Sequence, residues 1–287
     1  MDRAVLLVLA AVVLLAGCGG PGADDPLADD HSAPLALQRG AQTERDGVRV
    51  QEISYASGDD RVEGYLVAPP GRDEKLPGVV FLHGSGDDRN EQLDTAVALA
   101  KRGAVAMTIT APSRGKTAPP GATGEELVRW QGGAIAADVV AARRAFDVLA
   151  DDDRVDDDRL GLVGWSMGGR LASIVAGVDD RVRATVLMSV GAAPVEAYVQ
   201  GAPAELQDVV REALEPIDPL THVDDAKGAI LVQAGRRDSI VPRAALEAVI
   251  DAAPKGTKVE WYPTDHALND QARNDRLDWL AGELGLG

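Results

Sequence analysis

The chain has 287 residues, of which 45% are hydrophobic, so it is long enough to bury a full core in one large domain or two small ones. Its formal net charge of −17 argues against nucleic acid as a partner and against electrostatic attraction to anionic lipid, since both would repel it. The composition is not that of a disordered chain, and a single cysteine excludes an intramolecular disulfide.

The N-terminus carries a short apolar run that indicates export. Residues 4–16 are apolar but too few for a membrane-spanning helix, which needs about 20 residues, so they predict a signal peptide over residues 1–17. The run ends in LAGC, which resembles the bacterial lipobox, in which the cysteine, here Cys18, receives a diacylglycerol. We expect a lipid anchor at Cys18 that holds the protein on the extracytoplasmic face of a bacterial membrane. The alternative is a plain secretory peptide with an incidental cysteine.

The next segment has the composition of a spacer. Residues 18–43 are rich in Gly, Pro, Asp and Ala and follow neither a helical nor a strand period, which predicts a flexible linker. His31 lies in it and is given no role. The folded domain is expected over residues 44–287, so a protein that begins at Thr43 should be soluble and fully active.

Beyond the spacer, short β-branched runs alternate with longer stretches rich in Ala and Leu. This alternation predicts an α/β domain with a mostly parallel sheet and helices on both faces, opened by an antiparallel pair of strands. A small insertion with several prolines, residues 192–223, is expected before the penultimate strand. The predicted strands are residues 48–54, 61–67, 78–82, 104–109, 160–163, 184–188, 229–234 and 258–262. The predicted helices are residues 91–102, 124–149, 243–252 and 270–284.

The most informative motif lies at the end of the fifth of these strands. Residues 160–169 read LGLVGWSMGG, in which an apolar strand enters Ser166 with Gly164 and Gly168 two positions to either side. This is the G-x-S-x-G nucleophile elbow, a sharp strand-to-helix turn that leaves the serine projecting from the sheet. The turn brings the neighbouring backbone into such close contact that the flanking positions can hardly carry a Cβ.

A serine hydroxyl needs a base within hydrogen-bond reach, and the base needs an acid to hold its tautomer. In folds that use this elbow the order along the chain is Ser, then Asp or Glu, then His. His83 lies upstream of the serine, and His222 would need an acid on the small insertion. His266, which follows the last strand, fits this order best.

The acid is expected on the loop before His266. Asp238 sits just beyond the end of a predicted strand, and the carboxyl ends of parallel strands converge on one edge of the sheet. One helix and one strand fit between Asp238 and His266, so Ser166, Asp238 and His266 each leave a different strand. A turn-forming or helix-capping role is the alternative for Asp238. Asp265 is interpreted as a turn residue.

Acyl transfer also needs two preorganised N–H donors for the oxyanion of the tetrahedral intermediate. One is expected to be the backbone N–H of Met167, at the start of the helix that the elbow opens. The other is expected to be the backbone N–H of Ser85, because the glycines on either side let the loop turn it inward. His83 is expected to anchor this loop rather than to perform chemistry.

These motifs together resemble the α/β-hydrolase superfamily, and within it the dienelactone-hydrolase-like and prolyl-oligopeptidase-like esterases. The resemblance runs from about residue 48 to the C-terminus through the phrases GYLVAPP, PGVVFLHGSG, VGWSMGG, GRRDSIVP and TDHAL. Two departures matter. Dienelactone hydrolase itself uses a cysteine where this chain has Ser166, so its substrate does not transfer, and the propeller of prolyl oligopeptidases is absent.

The sequence therefore predicts a serine hydrolase that cleaves small acyl esters through an acyl-enzyme. Neither a cofactor nor a metal is expected, because the sequence has no HExxH or CxxC motif and no histidine cluster. A thioesterase or small peptidase would use the same triad. A catalytically inactive, lipid-anchored binding protein on the same fold is the alternative from a different class, since fold alone never proves function.

Overall fold

The computed structural model describes residues 25–71 and 74–286, so the predicted signal peptide and Cys18 lie outside the described residues. The strands are β1 (Gln38–Arg45), β2 (Val48–Ser57), β3 (Asp60–Ala68), β4 (Leu76–Leu82), β5 (Val105–Ile109), β6 (Val155–Trp165), β7 (Val182–Met188), β8 (Ala229–Gly235) and β9 (Lys258–Tyr262). The α-helices are α1 (Leu93–Lys101), α2 (Glu125–Ala150), α3 (Met167–Val178), α4 (Val195–Gly201), α5 (Gln207–Leu214), α6 (Pro219–Asp224), α7 (Arg243–Ala252) and α8 (Asp270–Leu284). Short 3-10 helices lie at Ala204–Leu206 and Glu215–Ile217.

The strands form one mixed sheet in the order β1-β2-β3-β5-β4-β6-β7-β8-β9. From β5 to β9 every neighbouring pair is parallel, whereas β1, β2 and β3 are antiparallel to their neighbours. This is the predicted mostly parallel α/β sheet. Because the parallel strands share a direction, the loops that follow β4, β6, β7, β8 and β9 all leave from the same edge.

Two apolar layers bury the sheet. All seven residues of β4 are buried, and they alternate between the layers: Val80 and Leu82 pack with α2 and α3, while Val79 and Phe81 pack with α1 and α8. The alternation follows the two-residue period of a strand, and burial on both faces explains why β4 is a continuous apolar run. Among the helices of the described residues, none has the length and apolar character that a membrane span needs.

The predicted insertion folds into α4, α5 and α6 with the two 3-10 helices between them. It packs tightly onto the long helix α2. A Cβ on Gly132 of α2 would lie 2.8 Å from the carbonyl oxygen of Ala213 in α5, so only a glycine permits this approach. The insertion is therefore fixed against the domain at the end of the sheet where the parallel strands finish.

The prediction was wrong about the start of the folded domain. Residues 38–45 form the edge strand β1, which pairs with β2, although residues 18–43 were assigned to a flexible spacer. Ahead of β1, the Leu27 side chain is buried at 3% exposure. Arg143 of α2 donates to the carbonyl of Leu27, and Arg144 donates to the carbonyl of Ala33 at 2.6 Å. Residues 25–45 are thus part of the fold.

We expect a protein that begins at Thr43 to be less stable than one that begins at Asp25. The shorter protein loses the burial of Leu27, about 2 kcal/mol, and the hydrogen bonds that Arg143 and Arg144 donate, about 1 kcal/mol each. The free energy of unfolding from urea titration should fall by roughly 3 kcal/mol or more. Leu27→Ala should reproduce about half of the loss. Equal stability of the two truncated proteins would restore the spacer interpretation.

Candidate active site

The turn between β6 and α3 has the geometry of the predicted elbow. Ser166 adopts φ 54° and ψ −110°, a backbone conformation that costs a non-glycine residue energy. A Cβ on Gly164 would lie 2.1 Å from the carbonyl oxygen of Gly168, and one on Gly168 would lie 2.4 Å from that of Leu82. Both flanking positions therefore require glycine. The Ser166 N–H donates to the carbonyl of Met188 at 2.8 Å, which ties the strained residue to β7.

The loops after β8 and β9 bring Asp238 and His266 together. Gly235 ends β8, and a Cβ there would lie 2.2 Å from the carbonyl oxygen of Asp265, so the two loops run in backbone contact. The backbone N–H of Arg237 donates to the carbonyl of Thr264 at 2.9 Å. In this frame Nδ1 of His266 lies 2.7 Å from Oδ2 of Asp238, within hydrogen-bond distance.

The Asp238 carboxylate is well prepared to stay ionised. Its side chain is 4% exposed, and its other oxygen accepts from the backbone N–H groups of Ile240 and Val241 at 2.8 and 3.0 Å. Burial opposes ionisation, but these two hydrogen bonds and the one from His266 outweigh it and lower the pKa of Asp238 below its ordinary value. A buried carboxylate on Nδ1 of His266 leaves Nε2 as the free nitrogen of the ring.

Two further residues hold His266 by its backbone. The Trp165 indole Nε1 donates to the His266 carbonyl at 3.0 Å, and the two rings lie 5.3 Å apart between centroids. The Ser189 hydroxyl donates to the same carbonyl at 2.7 Å. The sequence analysis missed both residues. Ser189 carried a signal, since it is a polar residue directly after a buried parallel strand, whereas Trp165 occupies a variable position of the elbow motif.

Trp165 links Ser166 to His266, which are not hydrogen-bonded to each other in the described residues. Trp165, which contacts His266, directly precedes Ser166. In residues 25–71 and 74–286 no hydrogen bond joins the Ser166 hydroxyl to His266. Catalytic hydrogen bonds are often long without substrate and tighten in the Michaelis complex. His222 lies apart from this group, with Nε2 2.8 Å from the carbonyl oxygen of Pro216 in the insertion.

The loop after β4 lies against the elbow. A Cβ on Gly84 would lie 2.7 Å from the Trp165 ring, so the loop backbone rests on the indole. His83 anchors this loop, as predicted: its Nε2 accepts a hydrogen bond from the Ala111 N–H at 3.0 Å. The Ser85 N–H makes no hydrogen bond within the described residues, and the Met167 N–H begins α3 and has no partner inside the helix. Both N–H groups predicted as oxyanion donors thus lack a hydrogen-bond partner in the described residues.

Glu91 secures the same loop from the other side. The Gly84 N–H donates to its carboxylate at 2.7 Å, which leaves the next N–H, that of Ser85, as the free donor of the loop. Burial is the main cause that raises the pKa of Glu91 from 4.5 to about 7; the bond from Gly84 opposes the rise, and Asp87 and Asp88 add to it. The sequence analysis did not identify Glu91.

A cavity of about 410 Å³ opens beside Met167. Its walls come from α2, the start of α3 and the insertion, and they are mostly apolar, with Ile135, Val195 and Leu214 among the lining residues. Apolar walls next to the Ser166 turn suit a small organic group. The insertion thus contributes more apolar surface than its mixture of acidic residues and prolines suggested.

A group of acidic residues with His31 lies at the other end of the sheet. Asp29, His31 and Asp147 bring potential metal-binding atoms within 4.8 Å of one another. Arg144 and Arg181 already donate to the two oxygens of Asp147 at 2.6 Å each. We interpret the group as an ion-pair network that fastens the N-terminal segment to α2. His31, which was given no role, belongs to that network.

Solved structures that share this fold include two esterases and a hydrolase by name. An acetyl xylan esterase from a Paenibacillus species is 19% identical, over 88% of this chain and 90% of that one, with a TM-score of 0.74. An acetyl xylan esterase from a Thermoanaerobacterium species is 15% identical over 90% of both chains, with a TM-score of 0.72. An S-formylglutathione hydrolase from Agrobacterium tumefaciens is 19% identical over 86% of this chain and all of that one, with a TM-score of 0.64.

The sheet order, the elbow after β6 and these similarities define an α/β-hydrolase fold. The model of the dienelactone hydrolase family matches residues 62–283, which is most of the chain. The protein belongs to that family.

We expect the free energy of unfolding of Glu91→Gln to increase, relative to that of the wild type, as the pH rises. A folded-state pKa of about 7 against an ordinary 4.5 means that Glu91 favours folding in acid and that this contribution is lost as the pH rises through 7. Glutamine accepts the same Gly84 bond without titrating. Because water reaches this half-buried carboxylate, the difference between about pH 5 and pH 8 should be on the order of 1 kcal/mol.

Urea titrations of both proteins at the two pH values measure this difference. Glu126→Gln, at an exposed position on the first turn of α2, serves as the matched control and should not diverge from the wild type. Parallel behaviour of Glu91→Gln and the wild type would contradict the assignment of a perturbed carboxyl at this position.

Proposed function

We propose that the protein is a serine carboxylesterase, in which Ser166 is the nucleophile, His266 the general base and Asp238 the residue that orients it. The observation that carries the proposal is the 2.7 Å contact between His266 Nδ1 and a buried Asp238 carboxylate, on loops that border a strained serine elbow. Family membership supports a hydrolase acting on esters. Retention of all three side chains argues against the inactive binding protein.

The first half of the reaction acylates the enzyme. His266 Nε2 takes the proton of the Ser166 hydroxyl as the oxygen attacks the ester carbonyl carbon, and Asp238 stabilises the imidazolium that forms. The carbonyl oxygen becomes an oxyanion, which accepts from the N–H groups of Ser85 and Met167. When the intermediate collapses, the C–O bond to the alcohol breaks and His266 gives its proton to the leaving oxygen.

The second half returns the free enzyme. Water enters where the alcohol left, His266 takes one of its protons, and the resulting hydroxide equivalent attacks the acyl carbon on Ser166. Collapse of the second intermediate releases the carboxylic acid and restores the Ser166 hydroxyl with the proton held by His266. The serine ester linkage is made and broken once per turnover, and each turnover converts one ester and one water into an alcohol and a carboxylic acid.

The triad assignment predicts how the protein reacts with a fluorophosphonate probe. The wild type should be labelled and Ser166→Ala should not, while Ser239→Ala, an exposed serine on the Asp238 loop, should be labelled like the wild type. His266→Ala should lower kcat/KM by roughly a thousandfold or more, and His222→Ala should leave it near the wild-type value.

Equal labelling of Ser166→Ala and the wild type would remove the central claim. A wild-type protein that takes no label and hydrolyses no ester would favour the binding-protein alternative, and a greater loss in His222→Ala than in His266→Ala would reassign the base.

We propose further that the acyl group is short. The insertion of about thirty residues is too small to build the large lid that shelters long chains in lipases. A methylene adds at most about 0.8 kcal/mol when it is fully buried, so a site without an extended apolar trough should stop gaining affinity after a few carbons. Acetyl to hexanoyl esters should therefore be the best substrates, without activation at an oil–water interface.

A series of p-nitrophenyl esters from acetyl to palmitoyl tests this prediction through kcat/KM. The value should peak between acetyl and hexanoyl and fall at dodecanoyl. Leu214→Trp, which fills part of the cavity, should lower the hexanoyl value more than the acetyl value. A steady rise through palmitoyl would indicate a lipase, and faster turnover of thioesters or peptides would move the protein to a neighbouring reaction class.

We also propose that Cys18 carries a diacylglycerol that anchors the protein to the outer face of the bacterial membrane. The support is the signal-like segment over residues 1–17 and the LAGC sequence that ends in the only cysteine of the chain. Several acyl chains together give stable attachment that one chain does not.

In a detergent phase-partition experiment on the exported protein, the wild type should enter the detergent phase. Cys18→Ala should move it to the aqueous phase or block its maturation. Partition of the wild type into the aqueous phase would contradict the anchor and leave the esterase proposal untouched.

A further inference from the structure

A second cavity, of about 300 Å³, lies behind the loop that carries His266. Trp165, Leu268, Arg273 and Arg276 are among the residues that line it, and it shares no lining residue with the 410 Å³ cavity beside Met167. No group that reacts in the proposed esterase mechanism lines this cavity, although Trp165 and Glu91, which position the His266 and Ser85 loops, do. Its walls contain two arginines of α8 in a chain whose net charge is −17.

Arg276 is a buried cation that forms no close ion pair in the described residues. The residue is 3% exposed, and its Nε donates to the side-chain oxygen of Gln233 at 2.9 Å. Its two terminal nitrogens make no hydrogen bond, and no carboxylate lies within 4.0 Å of it in the described part of the chain. The nearby Asp275 accepts instead from the Tyr262 hydroxyl at 3.0 Å. Burial is the main cause that lowers the pKa of Arg276 to about 10; repulsion from Arg273 adds to the fall, and attraction to Tyr262 and Asp275 opposes it.

Arg273 adds a second cationic group to the same wall. It lies three residues before Arg276, on the same face of α8. Its Nε is buried and has no hydrogen-bond partner, while a terminal nitrogen lies 3.4 Å from the exposed carboxylate of Asp270. The cavity is therefore lined by two guanidinium groups, each of which has N–H donors without a partner in the described residues.

The acidic residues of the cavity wall do not pair with Arg276. Asp270 is exposed and makes only its contact with Arg273, and the Glu91 carboxylate is taken by the Gly84 N–H. A buried cation without a partner is strongly unfavourable, and the planar fork of an arginine fits a carboxylate or phosphate through two parallel hydrogen bonds. An anion in the cavity would pair with the guanidinium groups and accept hydrogen bonds from their unpartnered N–H groups.

We infer that this cavity binds a small oxyanion, a carboxylate or an inorganic phosphate, against Arg276 and Arg273. Ala267 and Leu268 follow His266 directly and line the same cavity, and Leu268 has a positive φ of 62°. A bound anion thus joins α8 to the loop of the catalytic histidine. The site is separate from the ester site and does not depend on the function of Ser166.

The test titrates sodium acetate and sodium phosphate, each against sodium chloride at matched ionic strength, into the ¹⁵N-labelled protein. The indole N–H of Trp165 reports on the cavity, and Trp165→Phe assigns its resonance. We expect a saturable shift with one or both oxyanions: acetate alone identifies a carboxylate site and phosphate alone a phosphate site. Arg276→Met should weaken the apparent affinity by about tenfold or more.

Arg276→Met also leaves the buried Gln233 oxygen without its donor, so a urea titration should establish that the variant is folded before its binding is measured. Arg273→Met, at a half-buried position, should weaken binding as well and decides the matter if Arg276→Met fails to fold. Arg183→Met makes the same change of net charge at an exposed position where β7 begins and should bind like the wild type. An equal shift in wild type and arginine variants, or no saturable shift with either oxyanion, would overturn the inference.

Discussion

The structure depends on one close backbone contact, where β6 turns into α3. At Gly164 and Gly168 the polypeptide runs so near to itself and to the end of β4 that no side chain fits. This contact packs β6, α3 and β4 closely against one another at the turn. The packing holds Ser166 in its strained backbone conformation. The fold tolerates this strained conformation because the turn lies inside a sheet that is buried on both faces.

Trp165 connects that corner to the rest of the site. One face of its indole contacts the backbone of Gly84, the ring packs against His266, and its N–H bonds the His266 carbonyl. The residue thus touches the loops after β4 and β9 as well as the turn that carries the nucleophile. Residues that are far apart in the chain are positioned relative to one another by a single large, rigid side chain, which has little rotamer freedom to lose.

The parts of the fold that could be predicted are those with a strong local pattern. The bounds of α7, α8 and β9 agree with the sequence analysis because apolar periodicity and turn residues mark their ends. The edge strand β1 could not be found this way: all eight of its residues are exposed, so it has no buried face and is held by backbone pairing with β2.

In the site, spacing and strand ends led to Asp238 and His266. Glu91, Trp165 and Ser189 act through contacts between distant loops, which spacing does not encode.

The N-terminal segment is held at one end of the sheet. Leu27 and Ala33 are fastened to the second half of α2, near Arg143 and Arg144, and α2 runs opposite to the parallel strands. The segment therefore leaves the body at the end of the sheet where those strands begin, whereas Ser166 lies at the end where they finish. If Cys18 carries the proposed lipid, the mouth of the proposed ester site would lie at the end of the molecule opposite the anchored segment and would be open to dissolved molecules.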